Sequence, residues 1–384
     1  MSAPESVVVV AGTRPEFVKL APVVAALDRT DRFETILVHS GQHYDDLLSE
    51  RLRESVSLPR PDEHLGVGSG SHAAQTGELV AGIGDLLSKH EPTYTIAQGD
   101  TNTVLAAAIA ASKCPTTFCH VEAGLRSGDR EMPEETNRVL ADHVEGFSFA
   151  PTEQAAENLR REGVTEDVYV TGNTVVDACR KNIAEARAGS DVLDRFGLAE
   201  GEYIAATIHR PRNVDDATRL RQIVSALEDA PLPVIFPAHP RTEKQLSRVG
   251  SSSEGSLRVV DPLEYLDFLR LLDGATAVVT DSGGVQEEAS LLSVPCLTVR
   301  PNTERPKTVE AGVNVLVEPE MLDEKLRTVV YDPDRREAMT GARDLYGDGR
   351  AGERIARLLA YRLGEESPDL DAHGIDDLLE TAAE

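Results

Sequence analysis

Short runs rich in valine and isoleucine alternate with longer stretches of helical period along most of the chain. Parallel strands that helices cover on both faces are apolar throughout, so this alternation predicts an α/β fold of doubly wound parallel sheets. The strands predicted in the first half are Val7–Ala11, Thr35–His39, Thr93–Ala97, Thr116–Val121, Phe147–Ala150 and Val168–Thr171. Those predicted in the second half are Tyr203–Ile208, Pro233–Pro237, Leu257–Val260, Ala275–Thr280, Cys296–Val299 and Val313–Val317. The repeated plan indicates two sheets in series.

The length of the chain also favours two domains. Its 384 residues exceed the roughly 250–300 over which a single core keeps growing. We predict an N-terminal domain at 1–178, a C-terminal domain at 179–351, a helix at 352–365 that returns to the first domain, and an acidic tail at 366–384. Ligands bind at the carboxyl ends of strands in such sheets, so a cleft between two facing sheets is the expected binding site.

The charge of the chain limits its partners and its location. A formal net charge of -27, from 66 acidic and 39 basic residues, disfavours binding to nucleic acid, whose phosphates attract basic surfaces. The acidic, lysine-poor composition suggests a high-salt cytosol, with an ordinary acidic protein as the alternative. No signal peptide precedes the first apolar run, and no apolar stretch approaches the ~18 residues of a membrane span. We therefore predict a soluble, cytoplasmic protein that does not bind membranes.

The cysteines and glycines give no indication of a metal or a cofactor. There is no CxxC pattern, and no histidine lies near a cysteine at the spacing of zinc ligands. Buried free thiols are therefore predicted for Cys114, Cys119, Cys179 and Cys296. No predicted strand leads directly into a GxGxxG turn with a downstream acid, and no metal triad is present, so neither hydride transfer nor zinc hydrolysis is expected.

A first glycine turn directly follows the first predicted strand, in the sequence GTRPE. Gly12 permits a tight turn, and Arg14 lies where backbone N–H groups and the helix dipole favour an anion. Lys19 follows one helical turn later. A plain connection between a strand and a helix explains this motif equally well.

A second glycine turn opens a helix in the sequence TDSGGVQEE. Ser282 can cap the helix, and Gly283 and Gly284 let backbone amides approach a phosphate closely. The carboxylate of Glu288, about one turn further on, suits a ribose diol. Two arginines after the next strand, Arg300 and Arg305, can add cationic contacts. The pattern favours phosphate and ribose recognition over a structural turn.

Acidic residues recur near strand ends of the first half, in GDT at 99–101, HVEAGLR at 120–126 and PEETNR at 133–138. Carboxylates beside arginines usually form salt bridges, but three in one sheet favour a shared acid/base site. The acids concerned are Asp100, Glu122 and Glu134. His209, after the first strand of the second half, is expected to face the same cleft. The combination suggests a nucleotide sugar whose ring undergoes proton transfer.

At these residues the sequence resembles the UDP-N-acetylglucosamine 2-epimerase family, in its non-hydrolysing form. The matches run in order over about residues 7–363. They are GTRPEFVKLAP at 12–22, GQH at 41–43, GDT at 99–101, HVEAGLRSGD at 120–129, PEETNR at 133–138, TGNTVVDA at 171–178, HR at 209–210, DP and EYLDF within 261–268, TDSGGVQEEA at 280–289, TERP at 303–306 and YGDGRAGERI at 346–355. Each match is modest, but the ordered set is improbable by chance.

The resemblance implies two Rossmann-like domains in the glycosyltransferase-B arrangement, with the nucleotide held mainly by the C-terminal one. It implies reversible conversion of UDP-N-acetylglucosamine to UDP-N-acetylmannosamine, by elimination of UDP to 2-acetamidoglucal and re-addition, for surface polysaccharide or glycan precursors. A homodimer without a cofactor is expected. The positions that match the catalytic groups of the family are Asp100, Glu122, Glu134 and His209. Those that match its substrate contacts are Arg14, Lys19, Phe268, Ser282, Gly283, Gly284, Glu288 and Arg305.

A second, allosteric site for the same nucleotide sugar occurs in bacterial relatives that this chain resembles. The residues that could serve it here are Gln42, His43, Arg138, Arg210 and His239. The segment GVGSGSH at 66–72 differs from the arginine-containing version associated with that site.

Four other functions are compatible with the same pattern. They are a glycosyltransferase of the same fold, a hydrolysing epimerase, a relative acting on UDP-2,3-diacetamido-glucuronic acid, and a non-catalytic UDP-sugar sensor. The sequence TERP at 303–306 favours the plain epimerase, and the retained carboxylate motifs disfavour the sensor. Which carboxylate acts as base and which as acid stays open.

Overall fold

The computed structural model describes residues 3–41, 56–68, 70–144, 146–165, 167–250, 255–341 and 344–364. These residues form two compact units. The first comprises the described parts of Met1–Arg180 and Tyr346–Glu384, and the second comprises those of Lys181–Leu345. Within the described ranges, no helix combines the length and the apolar character needed to cross a bilayer.

The first unit contains a seven-stranded parallel sheet in the order β3-β2-β1-β4-β5-β6-β7. Its strands are β1 (Glu5–Ala11), β2 (Phe33–His39), β3 (Glu63–His64), β4 (Tyr94–Gln98), β5 (Thr117–Val121), β6 (Gly146–Ala150) and β7 (Val168–Val170). The helices that begin in this unit are Arg14–Leu27, His72–His90, Asn102–Ala111, Pro133–Asp142, Glu153–Arg161, Thr174–Gly189 and Ala351–Arg362. The helix Thr174–Gly189 leads into the second unit.

The second unit contains a six-stranded parallel sheet in the order β10-β9-β8-β11-β12-β13. Its strands are β8 (Ile204–Thr207), β9 (Val234–Pro237), β10 (Leu257–Val260), β11 (Ala277–Thr280), β12 (Cys296–Thr298) and β13 (Asn314–Leu316). Its helices are Val192–Phe196, Pro211–Val214, Ala217–Glu228, Pro240–Val249, Tyr265–Asp273, Gly283–Leu292, Pro306–Glu310, Leu322–Tyr331 and Pro333–Ala338, with a 3-10 turn at Pro319–Met321.

The predicted fold class of two parallel α/β sheets is confirmed. Every strand that the apolar runs predicted is present, because those runs are the buried centres of the sheets. Val7, Val8, Val9 and Val10 of β1, for example, have no exposed surface. The strand that the sequence missed, β3, has two polar residues, and it forms by pairing with the end of β2.

The helix Ala351–Arg362 packs against the helix Arg14–Leu27 in the first unit. Gly352 makes this approach possible, since a Cβ there would lie 2.6 Å from the carbonyl oxygen of Pro22. The backbone N–H of Gly352 donates to Asp177 Oδ1 at 2.9 Å. Burial raises the pKa of that carboxyl group to about 6, even though it accepts backbone hydrogen bonds. The helix is thus tied to the same unit at both its side and its beginning.

The predicted burial of the cysteines is confirmed for Cys119, Cys179 and Cys296. It is wrong for Cys114, which is only partly buried. Cys114 lies in the connection that follows the helix Asn102–Ala111, outside the sheet strands.

Candidate active site

Polar side chains gather at the carboxyl ends of β1, β4 and β5 in the first unit. The turn after β1 is held by Glu16, whose carboxylate accepts from the backbone N–H of Gly12 at 3.0 Å and of Thr13 at 2.7 Å. Thr101, after β4, donates to the other oxygen of Glu16 at 2.7 Å. Burial raises the pKa of Glu16 although these hydrogen bonds oppose the shift. The turn carrying Arg14 and the turn carrying Asp100 are therefore joined.

Asp100 follows β4 through Gly99, whose φ of +89° is a conformation that glycine adopts without strain. Its carboxylate forms an ion pair with Arg138, and its carbonyl oxygen accepts from Asn137 Nδ2 at 3.0 Å. The Asp100 side chain is 34% exposed, whereas that of Arg138 is only 4% exposed. A buried guanidinium thus orients a carboxylate that solvent can reach. The sequence suggests Arg138 for a second site, whereas in the structure its guanidinium pairs with the carboxylate of Asp100.

Glu122 follows β5 in a left-handed conformation with φ of +73°. Such a conformation costs a non-glycine residue about 1–3 kcal/mol and is concentrated at functional sites. Its carboxylate accepts from Lys19 Nζ at 2.8 Å, from Asn173 Nδ2 at 3.3 Å and from Gln98. These donors fix a carboxylate that is almost fully buried. Lys19, predicted as a substrate contact, therefore holds Glu122.

Glu134 and Glu135 have different environments in the first turn of the helix Pro133–Asp142. Glu135 is buried, accepts from the backbone N–H groups of Ser127 at 3.1 Å and Gly128 at 2.9 Å, and pairs with Arg138. Glu134 is only partly buried. The structure thus gives Glu135 a loop-closing role that the sequence did not reveal, and it leaves Glu134 partly accessible.

In the second unit, Asp281 organises the loop that follows β8. This fully buried carboxylate accepts from the backbone N–H groups of His209 and Arg210 and from Asn213 Nδ2, all at 3.0 Å. His209 Nδ1 lies 3.1 Å away. Burial opposes ionisation, but His209 and the N–H donors lower the pKa of Asp281 to about 2. The sequence included Asp281 in a motif without giving it a role.

The helix Gly283–Leu292 begins directly after Asp281. Ser282 occupies the cap position, but its side chain makes no capping hydrogen bond, so the capping prediction is wrong. Its backbone N–H donates to Thr280 Oγ1 at 3.0 Å, which leaves the amides of Gly283 and Gly284 as the candidate anion contacts. A Cβ at Gly283 would lie 2.6 Å from Glu304 Oε1. Glu288 is buried and accepts from Tyr265 at 3.3 Å.

Buried ion pairs surround this turn. Arg305 Nε lies 2.8 Å from Glu287 Oε1, and Glu304 pairs with Arg300 at 2.6 Å and with Arg210 at 3.2 Å. The guanidinium groups predicted to contact a phosphate are therefore oriented by carboxylates.

Two further predicted residues, Phe268 and His239, lie in the second unit. Phe268 is partly buried and packs on the core of the second unit. His239 caps the helix Pro240–Val249, with its Nδ1 accepting from Arg241 N at 3.4 Å. Gln42 and His43 lie outside the described residues.

A model of the family described as UDP-N-acetylglucosamine 2-epimerase matches residues 25–360. The UDP-N-acetylglucosamine 2-epimerase of Methanocaldococcus jannaschii is 42% identical over 92% of this chain and 98% of its own length. A crystal structure of the M. jannaschii enzyme in complex with UDP-GlcNAc and UDP superimposes with a TM-score of 0.84 at 43% identity, covering 93% of this chain and 99% of that one. The UDP-2,3-diacetamido-2,3-dideoxy-D-glucuronate 2-epimerase of Pseudomonas aeruginosa is 38% identical over 92% of this chain and 99% of its own length.

Proposed function

The chain belongs to the UDP-N-acetylglucosamine 2-epimerase family, and we propose that it interconverts UDP-N-acetylglucosamine and UDP-N-acetylmannosamine. The observation that carries the proposal is the placement of Asp100 and Glu122 at the ends of adjacent strands. The last residues of those strands, Gln98 and Val121, are paired in the sheet. One carboxylate is accessible and ion-paired with a buried arginine, and the other is held by Lys19 among three donors. Two carboxylates in such different environments suit the roles of general acid and general base.

The chemistry explains why such groups are needed. C2 of N-acetylglucosamine has no adjacent carbonyl group, so its hydrogen is too weakly acidic for simple removal and return. A carboxylate takes the C2 proton while the C1–O bond to UDP breaks, and the electron pair of the C2–H bond becomes the C1=C2 double bond of 2-acetamidoglucal. Re-addition of UDP to C1, with proton delivery to the opposite face of C2, gives the manno epimer. Asp100, Glu122 and Glu134 are the proposed acid/base groups.

We assign the departing UDP to the second unit. The amides of Gly283 and Gly284 at a helix start, together with Arg305, suit the charge that develops on the diphosphate. His209 is held beside Asp281 and is the further candidate for the diphosphate. Glu288 is the proposed ribose contact. The cytoplasmic location, the homodimer, the secondary site and the role in polysaccharide precursor supply remain predictions from the sequence and its resemblance.

Proton NMR of UDP-N-acetylglucosamine with the enzyme in D₂O tests this function in one experiment. We expect UDP-N-acetylmannosamine to appear without any added acceptor, with deuterium entering C2 and without build-up of UDP and free sugar. Free N-acetylmannosamine would indicate a hydrolysing enzyme. Turnover of UDP-2,3-diacetamido-glucuronate alone would place the chain with the Pseudomonas relative. Binding without any turnover would indicate a sensor.

We also propose that the acidic composition is an adaptation to concentrated salt. With a net charge of -27, the acidic side chains repel one another. Salt screens this repulsion, because the Debye length falls from ~10 Å at 0.1 M to ~3 Å at 1 M salt. We expect the melting temperature to rise with KCl and activity to persist above ~1 M KCl, while KM for the charged substrate rises through the same screening. Thermal melts and initial rates across a KCl series measure both effects. A melting temperature that is flat or falls with KCl contradicts the adaptation and leaves the epimerase proposal intact.

A further inference from the structure

His120 lies on β5 with 1% of its surface exposed and has a hydrogen-bond acceptor at each ring nitrogen. Its Nδ1 is 2.6 Å from Asp142 Oδ1, and its Nε2 is 2.8 Å from the carbonyl oxygen of Gly99. A carbonyl oxygen only accepts, so Nε2 must carry a hydrogen. A neutral imidazole has one N–H, and only the imidazolium can donate to both partners when Asp142 is ionised.

The surroundings of Asp142 favour its ionised form. Its other oxygen, Oδ2, accepts from Arg126 Nη1 at 2.7 Å and from the backbone N–H of Gly124 at 3.1 Å. Arg126 is paired in turn with Glu162 at 2.6 Å. Burial opposes charge on Asp142, but His120 and Arg126 together lower its pKa. Burial and Arg126 likewise oppose charge on His120, whose pKa is nevertheless raised by its contact with Asp142 and Gly99.

The pair formed by His120 and Asp142 connects the two turns that carry the candidate acid/base residues. The Gly99 carbonyl immediately precedes Asp100, and the Gly124 amide lies two residues after Glu122. Both turns have unusual backbones, with φ of +89° at Gly99 and +79° at Gly124. At Gly124 no side chain fits, because a Cβ would lie 2.2 Å from the carbonyl oxygen of Ala155. The first turn is contacted by His120 at the Gly99 carbonyl, and the second by Asp142 at the Gly124 amide.

We propose that His120 is an imidazolium at neutral pH and that the His120–Asp142 ion pair positions Asp100 and Glu122. The positioning role rests on the proposed function, whereas the charge state of His120 does not. The pair makes its contacts at the backbone of both turns, so the two carboxylates are held in a fixed relation to each other. A displacement of about 1 Å in such a site can lower a rate by ~100-fold.

Nitrogen NMR of the enzyme labelled with ¹⁵N-histidine reads the charge state directly. We expect both ring nitrogens of His120 to carry protons at pH 7 to 8, whereas an ordinary histidine loses one near pH 6.5. The His120→Gln variant identifies the signals by their disappearance. A His120 ring with one unprotonated nitrogen at pH 7 to 8 would overturn the assignment.

Two variants test the positioning role. His120→Leu removes both donors, and we expect kcat to fall by at least ~100-fold with KM for UDP-N-acetylglucosamine changed by less than ~3-fold. His120→Gln can still donate to the Gly99 carbonyl, and we expect it to recover at least ~10-fold of that loss. The split between kcat and KM, and the partial rescue, are effects that simple destabilisation does not produce.

The matched control is His90→Gln, a partly exposed histidine at the end of the helix His72–His90, for which we expect unchanged kcat. Circular dichroism confirms that each protein is folded at the assay temperature. A folded His120→Leu variant with wild-type kcat overturns the positioning role. If His120→Leu does not fold, His120→Gln must still show a reduced kcat at unchanged KM. Full activity of His120→Gln would then overturn the positioning role. If the wild type fails to epimerise the substrate, the proposed function fails, and the nitrogen spectrum still decides the charge state.

Discussion

Replacing Glu122 with glutamine is expected to lower kcat for epimerisation by at least ~100-fold, and Asp100→Asn is expected to do the same. Each amide nearly preserves the shape of the carboxylate but cannot take up or deliver a proton at C2. The amide oxygen of the glutamine can still accept from Lys19, 2.8 Å away, but its amide nitrogen then faces Asn173 Nδ2 without a hydrogen bond, so we expect some loss of stability beside the loss of chemistry. Conversion and deuterium entry at C2, both followed by proton NMR in D₂O, should slow together.

The matched control for these variants is Glu153→Gln. Glu153 is an exposed carboxylate at the start of the helix Glu153–Arg161 in the same unit, and we expect its loss to change kcat by less than ~2-fold. Thermal melts show whether the variants remain folded. Near-normal turnover in both Glu122→Gln and Asp100→Asn would remove the proposed acid/base site, whatever the fate of the UDP contacts.

Asp281→Asn is expected to destabilise the second unit by about 3 kcal/mol at neutral pH. The buried carboxylate accepts from His209 N, Arg210 N and Asn213 Nδ2, and an amide nitrogen in place of one oxygen would face these donors without a hydrogen bond. Hydrogen exchange measured by mass spectrometry reports the local effect. Amides of β8 and β11 should exchange at least ~100-fold faster, while those of β1 keep their rates.

The stabilisation that Asp281 provides should decrease as the pH falls. The pKa of Asp281 is depressed to about 2 from an ordinary 3.8, so its stabilisation is complete above the ordinary value and is lost as the pH falls towards 2. The difference corresponds to about 2 kcal/mol. The wild type should therefore lose about 2 kcal/mol of its advantage over Asp281→Asn between about pH 5 and pH 2. Asp261→Asn, at an exposed carboxylate after β10, is the control, and an equal effect there would contradict the assigned role of Asp281.

The strands and the general location of the candidate site could be predicted from sequence because both depend on local pattern. Apolar runs identify buried strands, and the carboxyl ends of parallel strands share one edge, which places Asp100 and Glu122 together. The partners of these residues could not be predicted. Asn173 reaches Glu122 across 51 positions of the chain, and no spacing rule relates residues so far apart.

The hydrogen-bond partners of individual side chains could not be predicted from the sequence either, because neighbouring groups compete for them. Ser282 occupies a cap position that normally favours a side-chain hydrogen bond, yet its hydroxyl makes none to the helix. In the PEE sequence, Glu135 turns inward to close a loop while Glu134 stays partly accessible. The sequence alone does not distinguish the two glutamates. Their different burial follows from the packing of the helix Pro133–Asp142.

The packing of the helix Ala351–Arg362 against the helix Arg14–Leu27 has a consequence for folding during synthesis on the ribosome. The first unit lacks its last helix until residue 362 has emerged, and Pro22 and Val23 lack their contact with Gly352 until then. The second unit is continuous from Lys181 to Leu345, so all of its strands emerge earlier. Domains generally fold as units while the chain is being made. We therefore expect the unit that begins second in the chain to complete its fold first.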